Sequence, residues 1–141
     1  MEDKYLMPTE AAGRNFIMRQ ISGSVVMLNL LRFRDYADYS ETTELAPEEP
    51  ISGQMAYQLY IKHTLSYLEK SGGEILFMGK GGNFLIGPAT EYWDAVLLIR
   101  HQSTESFIAF AQDQEYVKGI GHRTAALEDS RLLPLTEDKI K

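Results

Sequence analysis

The sequence predicts an α+β domain of the ferredoxin-like type, βαββαβ with an antiparallel four-stranded sheet, preceded by an extra amino-terminal helix. Two apolar runs carry the prediction, VVMLNLLRF at 25–33 and EYWDAVLLIRH at 91–101, both with the aliphatic and β-branched content of buried strands. Between them Tyr57, Tyr60, Ile61, Leu65 and Leu68 recur at three- and four-residue spacings, the period of an amphipathic helix. The order of elements, helix and then β, α, β, β, α, β, is that of the split βαβ motif.

Pro8 and Thr9 introduce the first helix, with Ala11, Ala12, Phe16 and Ile17 at helical spacing, and Ser22, Gly23 and Ser24 close this 1–22 extension. The strand at 25–33 then opens a 23–136 domain. Residues 34–52, RDYADYSETTELAPEEPIS, are polar and acidic, hold two prolines and fit no period. A loop of that length inside a domain is more often functional or disordered than incidental. The helix from Gln54 to Lys70 stops at Ser71, Gly72 and Gly73. GEILFMGKGG reads as a strand ending in a glycine turn, and NFLIGP as a further short strand or strand edge.

After the 91–101 strand, Ser103 or Thr104 caps a helix with Phe107, Ile108, Phe110 and Ala111, and Asp113 caps another turn holding Tyr116, Val117 and Ile120. HRTAALEDS begins helical, SRLLPL is the closing strand, and 137–141 form a tail. Two helices on one face of such a sheet leave the other face uncovered, and these strands are too apolar for that face to meet water. Two sheets packed face to face solve the problem, so a homodimer enclosing a barrel-like cavity is the physical expectation.

Composition narrows the function. The 141 residues suit one core of ordinary size. With 20 acidic against 14 basic residues the formal charge is −6, which repels phosphate backbones and anionic lipid; no nucleic-acid partner is expected. The absence of cysteine excludes disulfides, thiolate–zinc sites, iron–sulfur clusters and thiol nucleophiles, and fits a reducing cytoplasm. MEDKYLMPTE lacks the basic and apolar regions of a secretory signal, and no run approaches the roughly 20 apolar residues that cross a bilayer. A cytoplasmic protein without a membrane partner is expected.

The carboxyl half, from YWDAVLLIRH through the Phe-rich helix and the Asp113 to Tyr116 turn to Arg123, an acidic residue and a final strand, resembles the DUF1330 family. GQMAYQLYIKHTLSYLEKSGGEILFMG resembles its central helix and following strand, with Tyr60 and Gly73 as landmarks, and the likeness spans residues 24–135. The resemblance implies a dimeric α/β-barrel fold, in a superfamily that includes cofactor-free monooxygenases, lactone isomerases and haem-binding enzymes. The amino-terminal helix and the 34–52 insertion depart from the shorter family pattern.

Asn29 interrupts the 25–33 strand. A buried amide without partners costs about 1 to 3 kcal/mol, so it must be bonded to protein, water or ligand. Strict alternation puts it on one face with Val25, Met27, Leu31 and Phe33; if that face turns away from the helices, Asn29 points into the barrel, and otherwise it is a structural amide tied to backbone. Arg32, on the opposite face, reads as half of a surface ion pair. Trp93, Tyr116 and Arg123 are further candidates for substrate binding, and His122 and Tyr60 for proton transfer. The Arg next to His122 favours a neutral imidazole. Arg123 either binds a carboxylate or pairs with Asp113 or Asp129.

GKGG at 79–82 lacks the glycine and hydroxyl residues of a P-loop, and His63, His101 and His122 have no metal-ligand spacing, so neither metal nor organic cofactor is expected. The expected function is that of a homodimeric small-molecule-binding protein. It is either a cofactor-independent enzyme, monooxygenase- or isomerase-like, acting on a small aromatic or carboxylated compound, or a non-catalytic sensing module. Haem binding through His122 and a purely structural dimer are the remaining alternatives.

Overall fold

VVMLNLLRF forms β1 (Val25–Phe33), an inner strand of the sheet, in a computed structural model that describes residues 3–138. β1 pairs antiparallel with β3 (Tyr92–His101) on one side and β4 (Leu127–Leu135) on the other. β2 (Glu74–Asn83) pairs antiparallel with β3, so the order is β2-β3-β1-β4. With α2 (Gly53–Lys70) after β1, and α3 (Thr104–Ala111), α4 (Gln114–Val117) and α5 (Ile120–Ala126) between β3 and β4, this is the ferredoxin-like βαββαβ fold. α1 (Glu10–Met18) is the extra helix; it buries none of its residues and leans on the domain through Phe16 against Phe107 and the Arg19 guanidinium on the Pro134 carbonyl.

Local chemistry sets the ends. Thr9, Ser52, Ser103 and Asp113 cap α1, α2, α3 and α4 by accepting backbone amides in the first turn. Gly72 takes φ +88° just past α2, a conformation that other residues adopt only with strain. The core lies between α2, α4 and α5 and one sheet face, built from Leu31, Tyr57, Tyr60, Leu68, Leu97, Phe110, Tyr116 and Leu127.

The register identifies the other face. Leu28 stands opposite Leu98 and Leu133, and Phe77 opposite Leu98, so these four share the side away from the core. Phe77 is 53% exposed and Leu133 52%. This open face is the one the apolarity of the strands predicts.

Four sequence expectations change. NFLIGP is not a strand: β2 runs on through Asn83, and the turn beyond it lifts Leu85 and Ile86 into solvent, 99% and 91% exposed. β4 begins at Leu127, three residues before SRLLPL, because α5 ends at Ala126. The 34–52 loop is fastened down: the amides of Arg34 and Asp38 bond the carbonyls of Ala126 and Ala125, Ala37 bonds Ile51, Tyr39 is buried, and Thr43–Leu45 form a 3-10 turn. Arg32 is buried and not on the surface, and its ion-pair partner is Asp129, itself wholly buried. The 137–141 tail lies mainly outside the described residues.

Candidate functional site

Asn29 faces the helices. Its strand neighbours Met27 and Leu31 are core residues, and Leu97 opposite it belongs to the same cluster. Of the two faces that alternation leaves open, the covered one is Asn29's. Its Nδ2 donates to the carbonyls of Met27 and Leu97, both at 3.3 Å. With the nitrogen committed to backbone, the amide oxygen is the atom left to accept from a guest.

Asn29 lines a cavity of about 40 Å³ beneath α2, shared with Tyr57, Tyr60, Thr64, Phe110 and Arg123. Amphipathic α2 presents Tyr57, Tyr60 and Thr64 to the sheet because these positions are three and four apart. Tyr60 and Tyr116 join their hydroxyls at 2.6 Å, and Tyr116 stacks on Phe110 with ring centroids 4.3 Å apart. Thr64 Oγ1 is buried and has no hydrogen-bond partner among the described residues. A volume of this size admits a few waters and no aromatic ring.

Burial first, and then the neighbouring Tyr60, push the Tyr116 hydroxyl far above its usual range; burial does the same to Tyr57. Both stay phenols at every working pH, able to donate a hydrogen bond and not to serve as bases. Arg123 opposes both shifts with its charge. Its guanidinium is fixed at the other end: it donates to the Leu6 carbonyl at 2.7 Å and to Ser130 Oγ, and pairs with neither Asp113 nor Asp129. Asp129 instead takes Arg131 Nη1 at 2.7 Å and the amides of Tyr5 and Ser130. So Arg123, Asp129 and Ser130 clamp the segment before α1 along β4.

Two candidates sit apart from this cavity. His122, on α5, shares a 2.7 Å hydrogen bond between its Nδ1 and the Tyr39 hydroxyl, tying the 34–52 loop to the helix. Burial and then the nearby His63 hold its pKa below the ordinary value, so it is neutral as expected, but Arg123 is not the cause. Trp93 lies among cations: the Arg32 and Arg131 guanidiniums stand 5.2 and 5.0 Å from its ring centroid, and Arg32 is 4.5 Å from that of Tyr92. The structure thus brings Asn29, Tyr60, Tyr116 and Arg123 together and separates His122 and Trp93 from them.

No family model matches the chain, and no curated protein does. Solved structures are similar to it. That of methylated RPA0582 protein is 32% identical, with a TM-score of 0.85 over 96% of each chain. The chain belongs to the RPA0582 family. A second structure, RPA0582 from Rhodopseudomonas palustris, called a protein of unknown function, is 31% identical with a TM-score of 0.85, over 98% of this chain and all of that one. A dimeric protein of unknown function and ferredoxin-like fold from Bacteroides fragilis is a more distant likeness, at 16% identity and a TM-score of 0.48, over 79% of this chain and 94% of its own.

In this RPA0582-family chain, sequence reasoning passed over Thr64, which lines the cavity, and Tyr39, which holds His122 outside it. Thr64 had a legible signal, since it falls four after Tyr60 and seven after Tyr57, a hydroxyl inside the apolar stripe of α2. Tyr39 had none; a single aromatic in an acidic loop does not reveal that it reaches His122.

Proposed function

We propose that the chain is a homodimeric small-molecule-binding protein whose site is the cavity between α2 and the sheet, acting without metal or organic cofactor on a small aromatic or carboxylated compound. The observation that carries this reading is the Tyr60–Tyr116 hydroxyl pair together with Thr64 Oγ1, which is buried and has no partner among the described residues. Such a hydroxyl costs about 1 to 3 kcal/mol unless a polar group enters the cavity to meet it. In an isomerase- or monooxygenase-like reaction the hydroxyl proton not used within the pair would be donated to a carbonyl oxygen of the substrate, the Asn29 oxygen would accept from the substrate, and α2 would move outward to admit a ring. Membership of DUF1330 and a cytoplasmic location belong to the same proposal, the second supported by the cysteine-free composition.

The homodimer is supported by the open sheet face, where Leu28, Leu98, Phe77 and Leu133 form one apolar surface. Light scattering tests it: the expected mass is twice 16.0 kDa, and Phe77→Glu with Leu133→Glu halves it. Native mass spectrometry of protein taken straight from cells tests the site. A bound small molecule that Tyr60→Phe and Thr64→Val release supports the reading, and a dimer that carries nothing and changes nothing it is offered refutes it. Tight binding without turnover favours the sensing alternative.

A further inference from the structure

A second concavity opens where β1 ends. It measures about 390 Å³ and is lined by Phe33, Arg34, Asp35, Ser52, Gln54, Lys80 and Asp94. That volume lies within the range that holds small ligands, unlike the small cavity beneath α2. Its charged groups differ in what holds them: Asp35 and Lys80 are both exposed and in no ion pair among the described residues. Asp94 Oδ2 is occupied by the Phe33 amide at 2.8 Å. Arg34 spends Nη1 on Glu128 at 3.2 Å, while its Nε is buried without a hydrogen-bond partner among the described residues. Lys80 stands exposed between Gly79 and Gly81, and among the described residues no carboxylate pairs with it.

The cleft also adjoins the tyrosines. Phe33, one of its walls, packs on Tyr57 with centroids 5.6 Å apart, and Tyr57 packs on Tyr60 at 5.3 Å. Phe33, which lines the cleft, and Tyr57, which lines the cavity, are thus in contact.

We propose that this cleft anchors the carboxylate of a small apolar acid between Lys80 and Arg34, with the hydrocarbon part lying on Phe33 and directed past Tyr57 toward the Tyr60–Tyr116 pair. The inference rests on the reading of the tyrosine cavity as the site and adds the class of compound: an aryl or alkyl carboxylic acid. It also gives a role to GKGG, which is no phosphate loop. On its own strand the same-face neighbours of Lys80 are Met78 and Gly82, neither of them charged, and its exposed ammonium can meet an anion.

The test is an amide-resolved NMR titration of the full chain with phenylacetate, phenylacetamide and phenethylamine, in the wild type and in Lys80→Met, a change at an exposed position. Phenylacetate is expected to shift the amides of Asp35, Gln54 and Lys80 together with those of Tyr60 and Thr64. The neutral amide is expected to bind about tenfold more weakly, and Lys80→Met to weaken phenylacetate about tenfold while leaving phenylacetamide unchanged, the effect of losing one charge-assisted bond. Equal binding of acid and amide, tighter binding of the amine, or no shift with any compound overturns the proposal. Shifts at Tyr60 and Thr64 that ignore Lys80→Met overturn the anchoring and leave the cavity reading standing. Lys80-dependent shifts confined to the cleft support the anchoring and refute the cavity as the site.

Discussion

Acid should destabilise this protein through one histidine. His101 ends β3 with its imidazole buried between the rings of Phe107 and Phe110, whose centroids are 5.0 and 5.5 Å away, and its Nδ1 has no hydrogen-bond partner among the described residues. Burial alone pushes its pKa down to about 4. In the unfolded chain a histidine titrates near 6.5. The folded value is the lower, so the unfolded state binds more protons between the two; stability present above pH 6.5 is lost as the pH falls toward 4. The whole loss is about 3 kcal/mol, of which about 2 kcal/mol falls between pH 7 and pH 5.

Urea unfolding at those two pH values, on the wild type and on His101→Leu, measures it. The wild type should lose about 2 kcal/mol more than the variant on acidification, which corresponds to roughly 6 °C in Tm. His122, also depressed by burial, contributes in the same direction but equally to both proteins. Asp38, Asp113 and Asp129, held below their ordinary values, lose their contribution only at lower pH. Equal losses in wild type and variant would refute the argument. So would an imidazole resonance of His101 that titrates near pH 6.5 in the folded protein.

Other expectations can be checked alongside. Tyr60→Phe removes the hydroxyl bonded to Tyr116 and should cost about 1 to 2 kcal/mol in urea unfolding, since it strands a buried partner. Gly53→Ala would bring a Cβ within 2.6 Å of the Ala126 carbonyl oxygen and closer still to that of Arg34, so the start of α2 must shift; a loss of about 1 to 3 kcal/mol is expected by thermal melting. Asp129→Asn takes the charge from a buried carboxylate bonded to Arg131 and to the Tyr5 amide, and should cost about 3 kcal/mol and speed proteolytic cleavage at residues 5–9.

The sequence made the strands and α2 legible because their patterns are long: β1 carries nine residues of strand character, and α2 shows five turns of stripe ended by glycine. NFLIGP misled for a physical reason, since Phe, Leu and Ile signal a strand by content while burial depends on what lies opposite, and a hairpin tip has nothing opposite. Alternation assigned Asn29 and Arg32 to different faces of β1 but did not say which face the helices cover. That follows from the side on which α2 crosses, a property of the whole fold. The grouping of Asn29, Tyr60, Tyr116 and Arg123 joins three distant regions of the chain, β1, α2 and the α4–α5 segment, and periodicity is blind to such contacts. Arg123 was open to reading as a carboxylate partner because a backbone carbonyl, that of Leu6, leaves no mark in the sequence.

The strand order governs how the molecule is made. β1 emerges first but sits inside the sheet, with Val26 opposite Arg100 on one side and Leu135 on the other, whereas the β2–β3 hairpin can close at once. Contacts this distant in sequence slow folding, so the hairpin forms early and β1 must wait for the rest of the chain. During that delay VVMLNLLRF is an unpaired apolar strand, the kind of segment that joins copies of itself into aggregates. Asn29 and Arg32 are its only interruptions. Replacing both with leucine would therefore show its damage first as insoluble protein during synthesis, before any effect on the finished fold.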